Sequence, residues 1–299
     1  MNCPQLKLKY EELLTKQNEF QGVLATFQGM KSNTPDERDV LAGELKRLQG
    51  EIGKIVDENF DFIWKDKIIK KQKEALETFF QKIVDVPPIP DGVSLKQIAD
   101  WEKMGMELCY LPEEDMTEDR DVSGWTERPT NLFLFIQYGE VSPEATKIKA
   151  GWRLIDKIPK PKYNNGNQMY KDDPLKDVIT ELRKNGIIEQ WDGKDQGSRF
   201  NISNDELQKP EVKTAFANAL GVDPKNIRLF DTIEWNVIGC IYHKEWGKTD
   251  VSEWFNDECK NSRRLQGGIF GNGGFSSIGD DTSNHRGDYC GFRLLVVLS

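Results

Sequence analysis

The chain has 299 residues, 30% of them charged, with a net charge of −9 and a pI near 5.1. That length suits one large domain or two smaller ones, with ample material for a core. The acidic balance excludes the basic face of a nucleic-acid binder, leaving 65–73 as a local basic patch, and no apolar run approaches the ~18 residues of a membrane span.

Residues 5–85 read as helix. Leu6, Tyr10, Leu13, Leu14, Phe20, Val23, Leu24 and Phe27 recur at three- and four-residue steps. After a break at Lys31-Ser-Asn-Thr-Pro-Asp36 the pattern resumes with Val40, Leu41, Leu45, Leu48, Ile52, Ile55 and Val56. The break offers Asn33 or Thr34 as N-cap, with Pro35 at the first helical position. A third apolar series covers 60–83. Two or three helices are expected over 1–85. They form either an oligomerisation or docking module or a helical subdomain packed within the same chain.

Val86-Pro-Pro-Ile-Pro-Asp-Gly92 holds three prolines, which favour extended chain, so 86–92 is expected to be a linker. Beyond it Ser94 caps a short helix over 94–104. The acidic stretch 113–121 is expected in solvent. Asn131-Leu-Phe-Leu-Phe-Ile-Gln-Tyr138 predicts a strand, as does Gly151-Trp-Arg-Leu-Ile-Asp156. Asp173-Pro174 opens a helix with Leu175, Val178, Ile179 and Leu182 inward, which stops at Asn185-Gly186. Ser203-Asn-Asp-Glu206 fits a capping box, and a helix over 211–220 ends at Gly221. Ile227-Arg-Leu229 follows, then the apolar stretch 232–241 with Glu234 and Asn236 interposed. Leu294-Leu-Val-Val-Leu298 is a continuous apolar run suited to a buried strand. Helices set among short strands make the fold class α+β.

Reactive residue types are sparse. Five scattered cysteines suggest neither a disulfide framework nor a zinc ribbon, and fit a reducing compartment. Cys240-Ile-Tyr-His243 has a ligand spacing, but with Cys259 it still falls short of the four ligands of structural zinc. His285 stands near Asp280, Asp281, Asp288, Ser276 and Ser283, yet no spacing orients a triad. Gly279-Asp-Asp-Thr-Ser-Asn-His285 lacks the alternation of a calcium loop. No catalytic residue, metal or cofactor is expected. Met1-Asn-Cys-Pro-Gln-Leu-Lys7 lacks a basic segment followed by an apolar one, so no signal peptide is expected. Synthesis in the cytoplasm, with assembly on a virion left open, follows. Trp235 and Trp254 read as core.

The most distinctive stretch is the last forty residues. Between Gly267-Gly268 and Gly291-Phe-Arg-Leu-Leu295, the 22 residues 269–290 show neither a helical nor a strand period. They read as a long irregular loop, a class that is usually functional or disordered. The window contains no Lys, Glu, Gln, Met or Trp, although those five types supply 82 of the 299 residues and about six would fall here by chance. They are the five that a codon ending in C or T cannot encode. Randomising the adenines of AAC or AAT codons never yields those five, and every residue found here lies within the set it does yield.

Arg264-Leu-Gln-Gly-Gly268, some twenty loop residues and Gly291-Phe-Arg-Leu-Leu295 resemble the end of C-type lectin domains of the formylglycine-generating-enzyme subtype. With Gly151-Trp-Arg-Leu-Ile-Asp156 and Thr232-Ile-Glu-Trp-Asn236 upstream, the chain resembles the variable proteins of diversity-generating retroelements. In that family an error-prone reverse transcriptase rewrites adenine-templated codons. The resemblance covers roughly 94–299 and implies a C-type lectin-like domain over 93–299 behind a helical amino-terminal region. Formylglycine-generating enzymes use two closely spaced cysteines before the terminal Gly-Phe-Arg, whereas this chain has Cys290 alone there.

The implied function is ligand binding and display, not catalysis. Ile269, Phe270, Phe275, Ser277, Ile278, Gly279, Asp280, His285, Asp288, Tyr289 and Cys290 would point outward as the variable recognition surface. Its aromatics would serve as hot spots and its small polar residues as adaptable contacts. Gly267-Gly268, Arg293 and 294–298 would be the frame. The expected partner is a protein or glycan, with no nucleic acid and no membrane insertion; a homo-oligomer or docking partner through 1–85 stays open. The alternatives are an enzyme of the formylglycine-generating type and a structural virion protein.

Overall fold

The structure is a computed structural model; it describes residues 3–30 and 35–298, with the side chains of 8–30, 36–56 and 63–298. Asn33 and Thr34, the predicted caps, lie outside the described residues. Two compact units divide after Lys70.

The first unit holds α1 (Cys3–Gly29) and the greater part of α2 (Pro35–Phe80). Pro35 opens α2, as its fixed φ and missing N–H favour. The predicted runs over 40–56 and 60–83 are one helix up to Phe80. Lys16 Nζ lies 3.2 Å from Glu51 Oε2, and the Arg38 guanidinium lies over the Phe27 ring. Leu13, Leu48 and Ile55 are buried, while Leu14, Val40 and Trp64 are exposed.

The second unit contains, in order, α3 (Leu95–Lys103), β1 (Met106–Leu111), β2 (Glu114–Asp115), α4 (Thr130–Gln137), β3 (Lys147–Ile148), β4 (Gly151–Asp156) and α5 (Lys176–Lys184). Next come α6 (Asn204–Gln208), α7 (Pro210–Leu220), β5 (Ile227–Leu229), α8 (Thr232–Tyr242), β6 (Ser252–Cys259), β7 (Arg263–Gly267), β8 (Ile278–Thr282), β9 (Cys290–Phe292) and β10 (Leu294–Leu298). This is a mixed α/β structure, compatible with the α+β class. One sheet has the order β1-β4-β10-β5, all antiparallel; another has the order β8-β7-β6-β9, with β9 parallel to β6. β10 pairs on both sides, so Leu294, Leu295 and Val296 are buried, as a continuous apolar run requires. Among the described residues no helix is long and apolar enough to cross a membrane.

Local signals behave as their chemistry dictates. Ser94 Oγ accepts from Gln97 N at the start of α3, Ser203 and Glu206 form a reciprocal capping box, and Gly221 closes α7 at φ +65°. Leu175, at the N-cap of α5, is buried, as are Ile179 and Leu182 within it, and Val178 is half-buried.

Three readings are corrected. The predicted strand over 131–138 is helix α4 with its C-cap Tyr138; Leu132 and Phe133 turn inward, and Leu134 and Tyr138 face solvent. An unbroken apolar run carries no period of its own, so packing decides its conformation. The acidic stretch 113–121 is not wholly solvated: Glu114 is buried and ion-paired with Lys82 and Arg120. The proline-rich 86–92 is anchored, with Val86 and Ile89 buried and Trp152 Nε1 donating to Pro87 O and Pro88 O at 3.1 Å each.

Candidate functional site

The carboxy-terminal frame is a buried ionic lattice. Arg293 Nη1 donates to Asp156 O (2.6 Å) and Ile158 O (2.9 Å), and Nη2 lies 2.9 Å from Glu253 Oε1. The guanidinium sits 4.1 Å from the centroid of the Trp246 ring. Glu253 also accepts from Tyr170 Oη (2.8 Å) and Trp235 Nε1 (3.0 Å). Burial pushes the Glu253 carboxyl up, but Arg293 and then Lys160 outweigh it and hold its pKa below the usual value. Lys160 Nζ donates to Val251 O (3.0 Å) and Gly268 O (2.9 Å), and burial lowers its pKa to about 8. Gly268 has φ +96°, and a β-carbon there would lie 2.6 Å from Lys160 Nζ. The corner needs glycine for both conformation and space.

Within 269–290 the expectation of eleven outward side chains is corrected at three positions. Phe275 is buried, its ring 4.9 Å from that of Trp235. Ile278 is buried opposite Gly267, whose missing β-carbon leaves room for Ile278 Cδ1. Cys290 is buried opposite Ser252, and burial pushes its thiol well up, so it stays protonated and inert. Nor is the stretch wholly irregular, since 278–282 is β8, paired in register with β7. Short apolar and glycine pairings of this kind leave no period to read.

The other eight positions reach the surface to differing degrees. Phe270 and Gly279 are exposed; Ile269, Ser277, Asp280, His285, Asp288 and Tyr289 are half-buried. Phe270 is 61% exposed on a turn followed by exposed Gly271, Asn272 and Gly273. Asp280 pairs with Arg263, and His285 Nε2 lies 3.6 Å from Asp281 Oδ2. Tyr163, absent from the predicted set, donates through Oη to Asp288 Oδ2 at 2.7 Å, and Gln168 Nε2 donates to Asp288 O. Arg286 reaches Glu189 (3.0 Å) and Glu206 (3.1 Å). Tyr163 lies 125 residues before Asp288; its only local signal is the Asn164-Asn165-Gly166 turn beside it.

The Cys240-x-x-His243 pair is not set up for a metal. His243 Nε2 lies 2.6 Å from Glu107 Oε1 and Nδ1 lies 3.1 Å from Glu245 Oε1, and its ring stacks on Trp246. Among the described residues no three His, Cys, Asp or Glu side chains gather as a metal site.

A second feature had no sequence signal. A cleft of about 1260 Å³ opens against the start of α8, with Arg153, Arg228, Asp231, Glu234, Asn256 and Asp257 among its lining. Its residues come from β2, β3, β4, β5, α8, β6 and β10, so no motif spacing could announce it. Glu234 is buried between Arg153 (2.6 Å) and Arg228 (2.7 Å). No family model, curated protein or solved structure matches this chain.

Proposed function

We propose that this chain is a ligand-recognition protein, in which a lectin-like scaffold over 93–299 presents a carboxy-terminal surface whose residues are diversified by a retroelement. The observation that carries the reading is the contrast along one stretch. Gly267, Gly268 and 291–296 are buried, while the turn between them holds Phe270 at 61% exposure. An aromatic ring held out at a glycine-rich tip, beside small polar neighbours, is the kind of side chain that anchors a binding face.

The recognition surface under this reading is Ile269, Phe270, Ser277, Gly279, Asp280, His285, Asp288 and Tyr289, joined by Tyr163. Phe275, Ile278 and Cys290 belong to the frame. The lattice around Arg293 and Glu253 makes no use of the exposed side chains, so their replacement leaves it intact. The residue types of 269–290, all within reach of adenine randomisation, support the same reading. The burial of Cys290 weighs against thiol chemistry at that position.

The test is to sequence the 3′ coding segment in many copies from related isolates. Changes confined to codons that derive from AAC or AAT, and sparing 275, 278 and 290, are expected. Substitutions spread evenly over codon positions and along the whole chain would overturn the reading.

A further inference from the structure

The charged cleft shares no residue with 269–290, and nothing above assigns it a role. About 1260 Å³ is ample for a small molecule or an inserted side chain. Its apolar lining is limited to Val141, Ala145, Ile148, Ala150 and Val297, none of them aromatic. A greasy ligand or a stacked ring finds little there.

The cationic side chains of the deep wall are already committed. Arg153 gives Nε and Nη2 to Glu234 Oε1, Nη1 to Gly151 O (2.7 Å) and Nη2 also to Lys149 O (2.6 Å). Arg228 gives Nη2 to Glu234 Oε2 (2.7 Å), Nη1 to Leu229 O (2.9 Å), and lies 3.2 Å from Asp231 Oδ2. Asp257 is treated differently. Its Oδ2 accepts from Thr232 N and Thr232 Oγ1, both at 2.6 Å, and among the described residues it makes no ion pair. Asp231 Oδ1 accepts from Asn256 Nδ2 at 2.9 Å. Asp257 thus borders an open cavity as a carboxylate whose hydrogen-bond partners are neutral, while Arg228, which feels its charge, is paired with Asp231 and Glu234. Loss of solvent, then the charge of Asp231, push its carboxyl up to about 7. A desolvated carboxylate without an ion pair of its own is unfavourable, and a ligand that supplies the cation lowers that cost.

We propose that this cleft binds its ligand through an alkylammonium or guanidinium group seated between Asp257 and Asp231. Arg228 and Asn256 hold Asp231, and Thr232 holds Asp257 through its backbone N–H and its hydroxyl. The exposed Lys147 and Lys149 at the lining disfavour a long run of basic residues and favour a small mono- or diamine, a basic amino acid or a single basic side chain.

The test is titration calorimetry of the full chain with agmatine and with putrescine, each to about 10 mM, near pH 8 and near pH 5.5. Saturable binding near pH 8 is expected, weaker by about tenfold or more near pH 5.5, where Asp257 is protonated. Asp257→Asn keeps an oxygen for Thr232, so it should fold, and should lose about tenfold or more in affinity at pH 8. Asp231→Asn is the second variant, should the first fail to fold, with the same expectation. No binding of either amine at pH 8, or undiminished binding in the folded variants, overturns the proposal. So does binding of magnesium or calcium ions in place of both amines.

Discussion

The ring of Phe275 fills the space where a side chain on Gly239 would be: a β-carbon there would lie 2.2 Å from Phe275 Cε1, and one on Gly247 would lie 2.9 Å from Phe275 Cδ2. Gly239 belongs to α8 and Gly247 to the turn that follows it. A single aromatic side chain therefore pins 269–290 to the helix beneath. Phe275→Ser should cost about 3–5 kcal/mol, the range of a core aromatic truncation. Gly239→Ala should also destabilise, by about 1–3 kcal/mol, because the ring has no free space to retreat into. Urea unfolding measures both; a loss below about 1 kcal/mol for Phe275→Ser would show that the ring is not packed as described.

Phe270 makes the opposite prediction five residues earlier. With its ring 61% exposed, Phe270→Ser should change unfolding free energy by no more than about 0.5 kcal/mol. The same holds for Asp288→Ala, apart from the hydrogen bond to Tyr163 that it removes. A melting temperature that falls as far for Phe270→Ser as for Phe275→Ser would remove the distinction between frame and face.

What the sequence disclosed follows from where its information is local. Caps at Ser94 and Ser203, the stop at Gly221 and the buried strand at 294–298 depend on neighbours in the chain, and all appear where the residues place them. Phe275 and Ile278 depend on Gly239, Gly247 and Gly267, which are remote or hidden in other motifs. Composition could mark 269–290 as unusual, but it could not say which of its apolar residues had a hole to enter. Likewise Asn131-Leu-Phe-Leu-Phe-Ile-Gln-Tyr138 carries strand-favouring residues, yet it is packed as a helix whose Asn131 Nδ2 donates to Ile278 O at 3.0 Å. The cleft is assembled from seven elements and had no sequence signature at all.

Glu253 is the electrostatic centre of the frame, facing Arg293, Tyr170 and Trp235. Glu253→Gln leaves Arg293 buried with one compensating charge fewer, and Lys160 without its nearby carboxylate. A loss of about 3–5 kcal/mol is expected, the scale for breaking one side of a buried pair. Because the Glu253 pKa is held low in the folded chain, its stabilisation is present above the unfolded carboxyl pKa and is lost as pH falls through the lower folded value. Glu253→Gln should therefore shrink the acid-induced loss of stability. An unchanged acid limb in the variant would mean that the lattice contributes no net charge stabilisation.

Asp257 has the reverse sign. Its folded pKa, about 7, lies above the ordinary 3.8, so between roughly pH 4 and pH 7 the folded chain keeps a proton that the unfolded chain has released. Its contribution to stability is complete below pH 4, declines as pH rises through that window and levels off above it. Glu234 and Glu253, both held low by arginines that outweigh the effect of burial, lose their contributions as pH falls, so the raw pH profile mixes both signs. The difference between wild type and Asp257→Asn isolates one of them. The variant cannot ionise at this position, and should be more stable than wild type by about 1–3 kcal/mol near pH 8, after discounting for partial solvent access. That advantage should fade toward pH 4. Chemical denaturation at four or five pH values gives the difference curve; if it is flat across the window, the Asp257 carboxyl titrates as an ordinary surface acid and is not the unmatched charge of the cleft.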